Sequence, residues 1–329
     1  MGSPRRAVAT AAMAVVAFSL LGSAATSSIA RLTDTAAEGA NTFTTAASFD
    51  TVAPTVSATV ISKSSPYFAG FIKQAGTYYV YVNATDGGAV PSGIATIRAD
   101  VSAITTGATA VALAAGSFTV EGVTYGFRTA LLTANNPLTA GAKAYTLTST
   151  DNKGNSRLQT GYSVTVDNTA PTASDIQTAN GGATVGRIEL GDTIVYTFSE
   201  IIDPQSILSG WTGASTNVVV RFTNAGTSDT FAVWNAANTA QLPLGSVNTN
   251  GNFVTAATTA GASGTPSTMV LNTAARTITI TLGTVAGTLN TDAANRTAAW
   301  TPAAAAFDRA AVAMSTAVRN ETGAADPEF

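Results

Sequence analysis

One segment of nine residues occurs twice in this chain, and the repeat constrains the fold more than any other feature. The sequence FDTVAPTVS at residues 49–57 returns as VDNTAPTAS at residues 166–174, with the two prolines 117 positions apart. Proline biases the residue before it towards extended backbone, so each copy predicts a stiff step into the first strand of a new unit. We therefore predict two domains, at residues 52–168 and 169–329, both within the usual domain size range.

Short runs of β-forming residues, separated by Gly, Asn and Asp, fill both predicted domains. Residues 77–84 (TYYVYVNA) alternate with a period of two, which is typical of a strand. Similar runs lie at residues 56–61, 94–101, 117–120, 125–131, 144–150, 162–167, 192–198, 217–222, 230–234 and 276–282. This spacing favours an all-β fold built of antiparallel sandwiches. We expect residues 245–267 to form exposed loops and the alanine-rich residues 302–314 to form a short helix.

The composition excludes several classes of chemistry. The chain has no His and no Cys, so it cannot hold a Ser-His-Asp triad, a Cys nucleophile, a His or Cys zinc site or a disulfide. Charged residues make up 11% of the chain, yet hydrophobic residues at 45% suffice for a packed core. The formal net charge is −3 and no basic run follows the N-terminus, which argues against nucleic acid or anionic lipid as a partner.

The first thirty residues have the pattern of a secretory signal peptide. Two arginines precede an apolar stretch at residues 7–21, and small residues follow it. The alternative is a retained membrane anchor, but about fifteen apolar residues fall short of the roughly 20 that span a bilayer. Cleavage after Ala25 or after Ala30 fits the preference for small residues, and we favour Ala30. We therefore expect a secreted protein with a signal peptide at residues 1–30 and no membrane span after its removal.

Three segments resemble bacterial immunoglobulin-like surface modules. Residues 150–156 (TDNKGNS) and 164–171 (VTVDNTAP) are similar to the end of such a module, which commonly has a D-x-x-G-N turn and a V-D-x-T-A-P exit. Residues 198–204 (FSEIIDP) resemble the F-S-E-x-(V/I)-D-P segment of another bacterial immunoglobulin-like class. Residues 308–312 (DRAAV) stand where a second D-x-x-G-N turn is expected. The resemblance implies two tandem immunoglobulin-like antiparallel β-sandwiches on a Gram-positive, actinobacterial cell exterior.

The residues after the predicted signal peptide resemble a different group. Residues 30–35 (ARLTDT) and 41–44 (NTFT) are similar to the mature N-terminus of SipW-dependent secreted proteins, which include the TasA and camelysin biofilm-fibre proteins. In those fibres a free N-terminal segment can complete the sheet of the next subunit. The resemblance supports cleavage after Ala30 and implies that residues 31–51 are an N-terminal leader or donor-strand segment. A flexible leader, or a strand that docks on its own domain, is the simpler alternative.

Carboxylates and aromatic rings supply candidate binding sites. Asp86, Asp151 and Asp167 could gather at one domain end and bind calcium, which prefers oxygen ligands. Their spacing fits no EF-hand loop, and turn capping explains each of them equally well. A sugar-stacking platform is the functional interpretation of the three tryptophans, whereas core packing is the ordinary one. These tryptophans are Trp211, Trp234 and Trp300.

Two pairs of carboxylates have the residue types that glycoside hydrolysis requires. They are Glu200 with Asp203 and Glu189 with Asp192. Residues three apart near a strand end more often serve turns, so we expect no catalytic residue here. An isopeptide bond between a lysine and an asparagine is also chemically accessible. The chain has four lysines, Lys63, Lys73, Lys143 and Lys153.

The sequence thus predicts a secreted or cell-surface structural or adhesive protein that is not an enzyme. We assign no cofactor, no catalytic residue and no metal ligand from the sequence. The expected partner is a glycan or protein of the cell wall or matrix, or a second copy of the chain. Two alternatives stay open, a biofilm-type fibre subunit that assembles through residues 31–49 and a carbohydrate-binding module.

Overall fold

Antiparallel strands make up nearly all the regular structure of residues 49–64 and 67–329, which the computed structural model describes. The four residues of α1 (Pro204–Ile207) form the one α-helix of that part of the chain, with Asp203 as its N-cap. The predicted all-β class is therefore confirmed. The signal peptide at residues 1–30, its cleavage site and residues 31–48 of the predicted leader or donor strand at 31–51 lie outside the described residues, and all three stay predictions.

The first sheet has nine strands. They are β1 (Thr55–Lys63), β2 (Phe71–Ile72), β3 (Thr77–Thr85), β4 (Ile94–Asp100), β5 (Val111–Val120), β6 (Val123–Thr129), β7 (Leu132–Thr133), β8 (Gly141–Asp151) and β9 (Ser156–Val166). The order is β1-β3-β6-β5-β4-β8-β9-β2, with β7 beside β3, and only β2 and β9 run parallel. The start of β5 pairs with β4 and the remainder pairs with β6. Because β5 belongs to both layers, the sheet folds over into a sandwich-like body.

Alternation along β3 decides which residues enter the first core. Tyr78, Val80 and Val82 are fully buried in the main hydrophobic cluster, as the period of two predicts. Tyr79 and Tyr81 point to the opposite face, where they join a smaller aromatic cluster. Both faces of β3 are therefore apolar, which fixes its register against β1 and β6.

The second sheet has eleven strands. They are β10 (Ala173–Ala179), β11 (Thr193–Phe198), β12 (Thr216–Thr223), β13 (Thr230–Asn235), β14 (Ser246–Asn248), β15 (Thr258–Ala260), β16 (Ser267–Asn272), β17 (Thr277–Thr281), β18 (Val285–Ala286), β19 (Ala299–Thr301) and β20 (Arg319–Asn320). The order is β10-β11-β17-β16-β12-β13-β14-β19-β20, and β15 links β12 to β18. A second hydrophobic cluster, separate from the first, lies within this sheet.

Aromatic rings fill the second core. The Trp300 ring lies 5.0 Å from the ring of Tyr196 and 5.2 Å from that of Phe198, in edge-to-face contacts. Phe329 is fully buried at another point of the same cluster, and its ring contacts three more phenylalanines. Edge-to-face pairs of this kind add stability beyond their buried area.

Two local predictions are wrong. Residues 245–267 are not simply exposed loops, because β14 and β15 lie there and Val247, Phe253 and Val254 are fully buried. Residues 302–314 form no helix; their backbone makes isolated bridges, and Ala306 and Ala310 are buried. Alanine has the highest helix propensity, but propensity is a weak determinant, and tertiary contacts such as the burial of Ala306 in the second core override it here.

Lysine side chains of the first sheet reach the turn at residues 308–312. Lys63 Nζ lies 2.8 Å from Asp203 Oδ2 and donates to the Arg309 carbonyl at 2.7 Å. Lys73 Nζ donates to the Ala311 carbonyl at 2.6 Å. We call this set of contacts the junction. The two sheets thus belong to one compact unit, and the domain boundary between residues 168 and 169 stays a prediction.

Candidate metal centres

Six acidic residues form two groups of three. The first triad consists of Asp50, Asp86 and Asp151, and the second triad consists of Asp167, Glu200 and Asp308. In each triad the three residues offer oxygen atoms that all lie within 4.8 Å of one another. Like charges at such distances repel, so each triad needs a cation or bound protons.

The strand pairing places the first two members of each triad together. Asp50 lies just before β1, and the antiparallel partner of Thr55 at the start of β1 is Thr85, the neighbour of Asp86. In the second sheet Asp167 precedes β10, whose first residue pairs with the last residue of β11, two positions before Glu200. The repeated segments at residues 49–57 and 166–174 therefore supply equivalent carboxylates to the two triads.

The third member of each triad begins a turn. Asp151 Oδ1 accepts hydrogen bonds from the N–H groups of Lys153 at 2.8 Å and Asn155 at 2.9 Å. Backbone bonds from Asp151 N–H to the Asn155 carbonyl and from Gly154 N–H to the Asp151 carbonyl complete the turn. An aspartate that satisfies turn amides in this way is fixed in place with one oxygen left over.

Residues 308–312 form the same turn without the glycine. Asp308 Oδ1 accepts from the N–H groups of Ala310 at 2.8 Å and Val312 at 2.7 Å, and the two backbone bonds recur at the same spacing. Ala311 takes the left-handed position with φ 68°, where Gly154 has φ 88°. The departure from D-x-x-G-N therefore changes the residues but keeps the turn.

Hydrogen bonds hold the first triad. Asp50 Oδ2 accepts from the Ser92 N–H at 2.8 Å, and Asp86 Oδ2 accepts from the Gly93 N–H at 2.7 Å. The hydrogen bonds from Ser92 lower the pKa of Asp50, so this carboxyl group is ionised at neutral pH. Asn155 Nδ2 donates to Asp151 Oδ2 at 2.6 Å. Asp86 Oδ1 is buried and has no partner among the described residues.

The second triad is less satisfied. Asp308 is 1% exposed, and its Oδ2 has no hydrogen-bond partner in the part of the chain that the structure describes. Glu200 Oε1 is likewise buried and unpartnered there. Burial, followed by the charges of Asp167 and Asp308, raises the pKa of Glu200 to about 7. Burial also raises the pKa of Asp308 to about 6. The second triad therefore holds buried carboxylate oxygens without hydrogen-bond partners among the described residues, and a bound cation would balance their negative charge.

The donor set fits a hard divalent cation. Each triad offers only carboxylate oxygens, brought together from three separate loops. Calcium takes six to eight oxygen ligands in flexible geometry, whereas magnesium demands a near-ideal octahedron. Carboxylates from separate loops, which are not arranged as an octahedron by one chain segment, suit the flexible coordination of calcium better, with further oxygens from backbone carbonyls or water.

The structure does not bring Asp86, Asp151 and Asp167 together as one group, and whether calcium binds any of them stays a hypothesis. Asp86 and Asp151 do lie together, with Asp50 as their third partner. Asp167 lies in the other triad, because β9 carries the chain away from the Asp151 turn to the opposite end of the first sheet. Eleven residues of strand span about 35 Å. Glu200 and Asp308 were not expected as ligands, although the repeat that contains Asp50 and Asp167 pointed to their end of the second sheet.

The paired carboxylates considered for glycoside hydrolysis serve other roles. Asp203 binds Lys63 and caps α1, while Glu200 belongs to the second triad. Glu189 Oε2 accepts two backbone N–H groups of its own loop. Asp192 is fully buried and accepts three more backbone N–H groups.

The tryptophans do not form a common platform. Trp300 is fully buried and its Nε1 donates to the Leu244 carbonyl at 2.6 Å, while Trp211 is 5% exposed. Trp234 is half-buried, and the guanidinium of Arg221 lies 3.5 Å from its ring centroid. The platform hypothesis therefore fails for Trp211 and Trp300, and the guanidinium covers one ring face of Trp234.

Among the described residues, the polar contacts of the two junction lysines go to Asp203 and to backbone carbonyls rather than to an asparagine side chain. Lys63 Nζ is surrounded by Asp203 Oδ2 and two backbone carbonyls, which are the acceptors that an ammonium group needs.

Within residues 49–64 and 67–329, no helix is both long and apolar enough to cross a bilayer.

No protein-family model and no curated protein matches this chain. Among solved structures, the chain is similar to the D00-D0 domain of intimin, with 14% sequence identity and a TM-score of 0.22. That match covers 82% of this chain and 100% of the intimin domain.

Proposed function

We propose that this chain is a non-enzymatic structural protein of the cell exterior in which calcium stiffens the start of each sheet. The observation that carries the proposal is the repeated carboxylate triad, together with the buried Oδ2 of Asp308, which has no hydrogen-bond partner among the described residues. The signal-peptide pattern at residues 1–30 and the absence of His and Cys from the sequence support an extracellular, non-catalytic role.

The second triad links the two sheets. Asp167 follows the last long strand of the first sheet, whereas Glu200 and Asp308 belong to loops of the second. A cation bound there adds ionic bonds to the junction lysine contacts, and so restricts bending between the sheets. A stiffened pair of sheets that presents a binding surface to a cell wall or matrix partner is the adhesive role that this arrangement serves.

Thermal unfolding of the purified protein tests the proposal. A site with a dissociation constant 100-fold below the calcium concentration stabilises the folded state by about 2.7 kcal/mol. We expect unfolding to shift to higher temperature in calcium than in chelator, and to shift less in magnesium.

Single substitutions separate the two triads. Asp308→Asn and Asp151→Asn keep an oxygen for the turn amides but remove the charge, so each should lose part of the calcium shift. Asp100→Asn is the matched control, because Asp100 caps a turn through Oδ1 outside both triads. No calcium shift in the native protein, or an undiminished shift in the Asp151/Asp308 double variant, would refute the proposal.

A further inference from the structure

A cavity of about 570 Å³ lies where three segments meet. Tyr67 and Phe68 line it from the segment after β1, and Glu121 lines it from the turn between β5 and β6. Gln205 lines it from α1, and Thr212 lines it from the loop before β12. The volume lies within the range of small-molecule sites, and such sites often lie where two bodies of a protein meet.

Two aromatic rings form a corner of this cavity. The ring centroids of Tyr67 and Phe68 are 4.8 Å apart and their planes meet at 83°. The Tyr67 hydroxyl donates to the Thr212 carbonyl, which fixes this ring against the second sheet. Rings held in this way present flat apolar faces at low conformational cost.

A carboxylate also lines the cavity. Glu121 and Gly122 are the two central residues of a tight hairpin turn, with φ 48° and 77°. Glu121 Oε1 accepts a hydrogen bond from the Ala69 N–H at 3.0 Å, so the exposed side chain is oriented rather than free. The exposed side chains of Gln205 and Thr119 add amide and hydroxyl groups to the same wall.

We propose that this cavity binds a neutral oligosaccharide. A pyranose ring has an apolar C–H face, which suits the aromatic corner, and a rim of hydroxyl groups, which suits a carboxylate, an amide and hydroxyls. The described lining contains one carboxylate and no Lys or Arg, so it disfavours uronic acids and other anionic sugars. The site does not use either carboxylate triad, and it places sugar recognition at Tyr67 and Phe68 rather than at the tryptophans.

Saturation-transfer NMR with three trisaccharides tests this site. The probes are maltotriose, cellotriose and chitotriose at about 1 mM, a concentration suited to the weak binding of single sugars. We expect saturation transfer to at least one probe, and weaker transfer to trigalacturonate. If none of the three neutral probes receives saturation from the native protein, the proposal is wrong.

Variants assign the signal to the cavity. Tyr67→Ala and Phe68→Ala should each weaken binding about tenfold or more, and Gln205→Ala should weaken it less. Tyr162→Ala is the matched control, since Tyr162 is a half-buried aromatic residue of β9 outside the cavity. Circular dichroism of each variant checks that it folds. Binding that survives Tyr67→Ala and Phe68→Ala in folded protein would place the sugar elsewhere and overturn the assignment.

Discussion

Asp151 and Asp308 accept the same hydrogen bonds in equivalent turns of the two sheets, although only one turn contains a glycine. Each Oδ1 binds the N–H groups of the second and fourth residues after it. Each aspartate is also the most buried member of a carboxylate triad. The turn therefore supports the candidate metal centre, because it fixes each aspartate through Oδ1. The Oδ2 of Asp308 has no partner among the described residues, whereas the Oδ2 of Asp151 accepts a hydrogen bond from Asn155.

The left-handed residue of the second turn gives a first prediction. Ala311 has φ 68°, a conformation that costs an L-residue roughly 1–2 kcal/mol and costs glycine little. Ala311→Gly should therefore raise the free energy of unfolding by up to about 1 kcal/mol, measured by urea denaturation. Gly154→Ala is the reverse control; no atom lies near its added Cβ, so a loss of about 1 kcal/mol reflects the backbone alone. A less stable Ala311→Gly variant would contradict the assignment.

Local pattern predicted the strands but not the grouping of the acids. Alternation at residues 77–84 was enough to predict β3, because residues of a strand point alternately to its two faces and the period of two is visible in the sequence. Asp86, Asp151 and Asp167 all lie near the ends of predicted strands, but sequence distance alone does not tell which end of a sheet each one reaches. The β8–β9 hairpin decides it, since Asp151 lies at its turn and Asp167 just beyond its open end.

The cavity could not be predicted at all from the sequence. Tyr67 and Phe68 lie in a short segment without periodicity, and Gln205 lies 84 positions beyond Glu121. Only the junction between the sheets brings these segments together. Long-range contacts of this kind leave no local pattern in the chain.

The buried ion pair at the junction gives a second prediction. Lys63 and Asp203 are 6% and 4% exposed, and loss of one partner leaves an uncompensated charge. Lys63→Met should lower the free energy of unfolding by about 3 kcal/mol or more. Arg296→Met is the control, because the Arg296–Asp292 pair has the same 2.8 Å distance but a partly exposed guanidinium, and should cost about 1 kcal/mol or less. Equal costs in urea denaturation would show that Lys63 contributes no more than a surface pair.

A buried hydroxyl gives a third prediction. Tyr196 is fully buried against Trp300, and its hydroxyl has no hydrogen-bond partner within the described ranges. Tyr196→Phe keeps the ring and removes the unsatisfied group, so the protein should become more stable by about 1 kcal/mol. In Tyr78→Phe the change should be a loss of similar size, because the Tyr78 hydroxyl lies 2.7 Å from Thr105 Oγ1. Thermal unfolding of both variants decides the matter, and a destabilised Tyr196→Phe would mean that its hydroxyl has a partner.

Glu328 should make stability depend on pH in an unusual direction. Its side chain is fully buried, Oε2 accepts a hydrogen bond from the Thr178 hydroxyl, and Oε1 has no partner among residues 49–64 and 67–329. Burial raises the pKa of Glu328 to about 8, and the acidic groups Glu321 and Asp326 add to that rise. The folded protein therefore keeps a proton that the unfolded chain, with a pKa near 4.3, releases.

It follows that the contribution of Glu328 to stability falls as pH rises from about 5 to about 8, and is level above that range. Glu328→Gln mimics the protonated form, so its free energy of unfolding relative to the native protein should increase across the same interval. Urea denaturation at about pH 5 and about pH 8.5 measures the difference. Glu189→Gln is the control: backbone hydrogen bonds, above all that of Thr184, lower the pKa of Glu189, so its contribution is lost only in acid. The difference between this variant and the native protein should therefore be level between the two pH values. A constant difference between Glu328→Gln and the native protein at the two pH values would mean that Glu328 is ionised in the folded state.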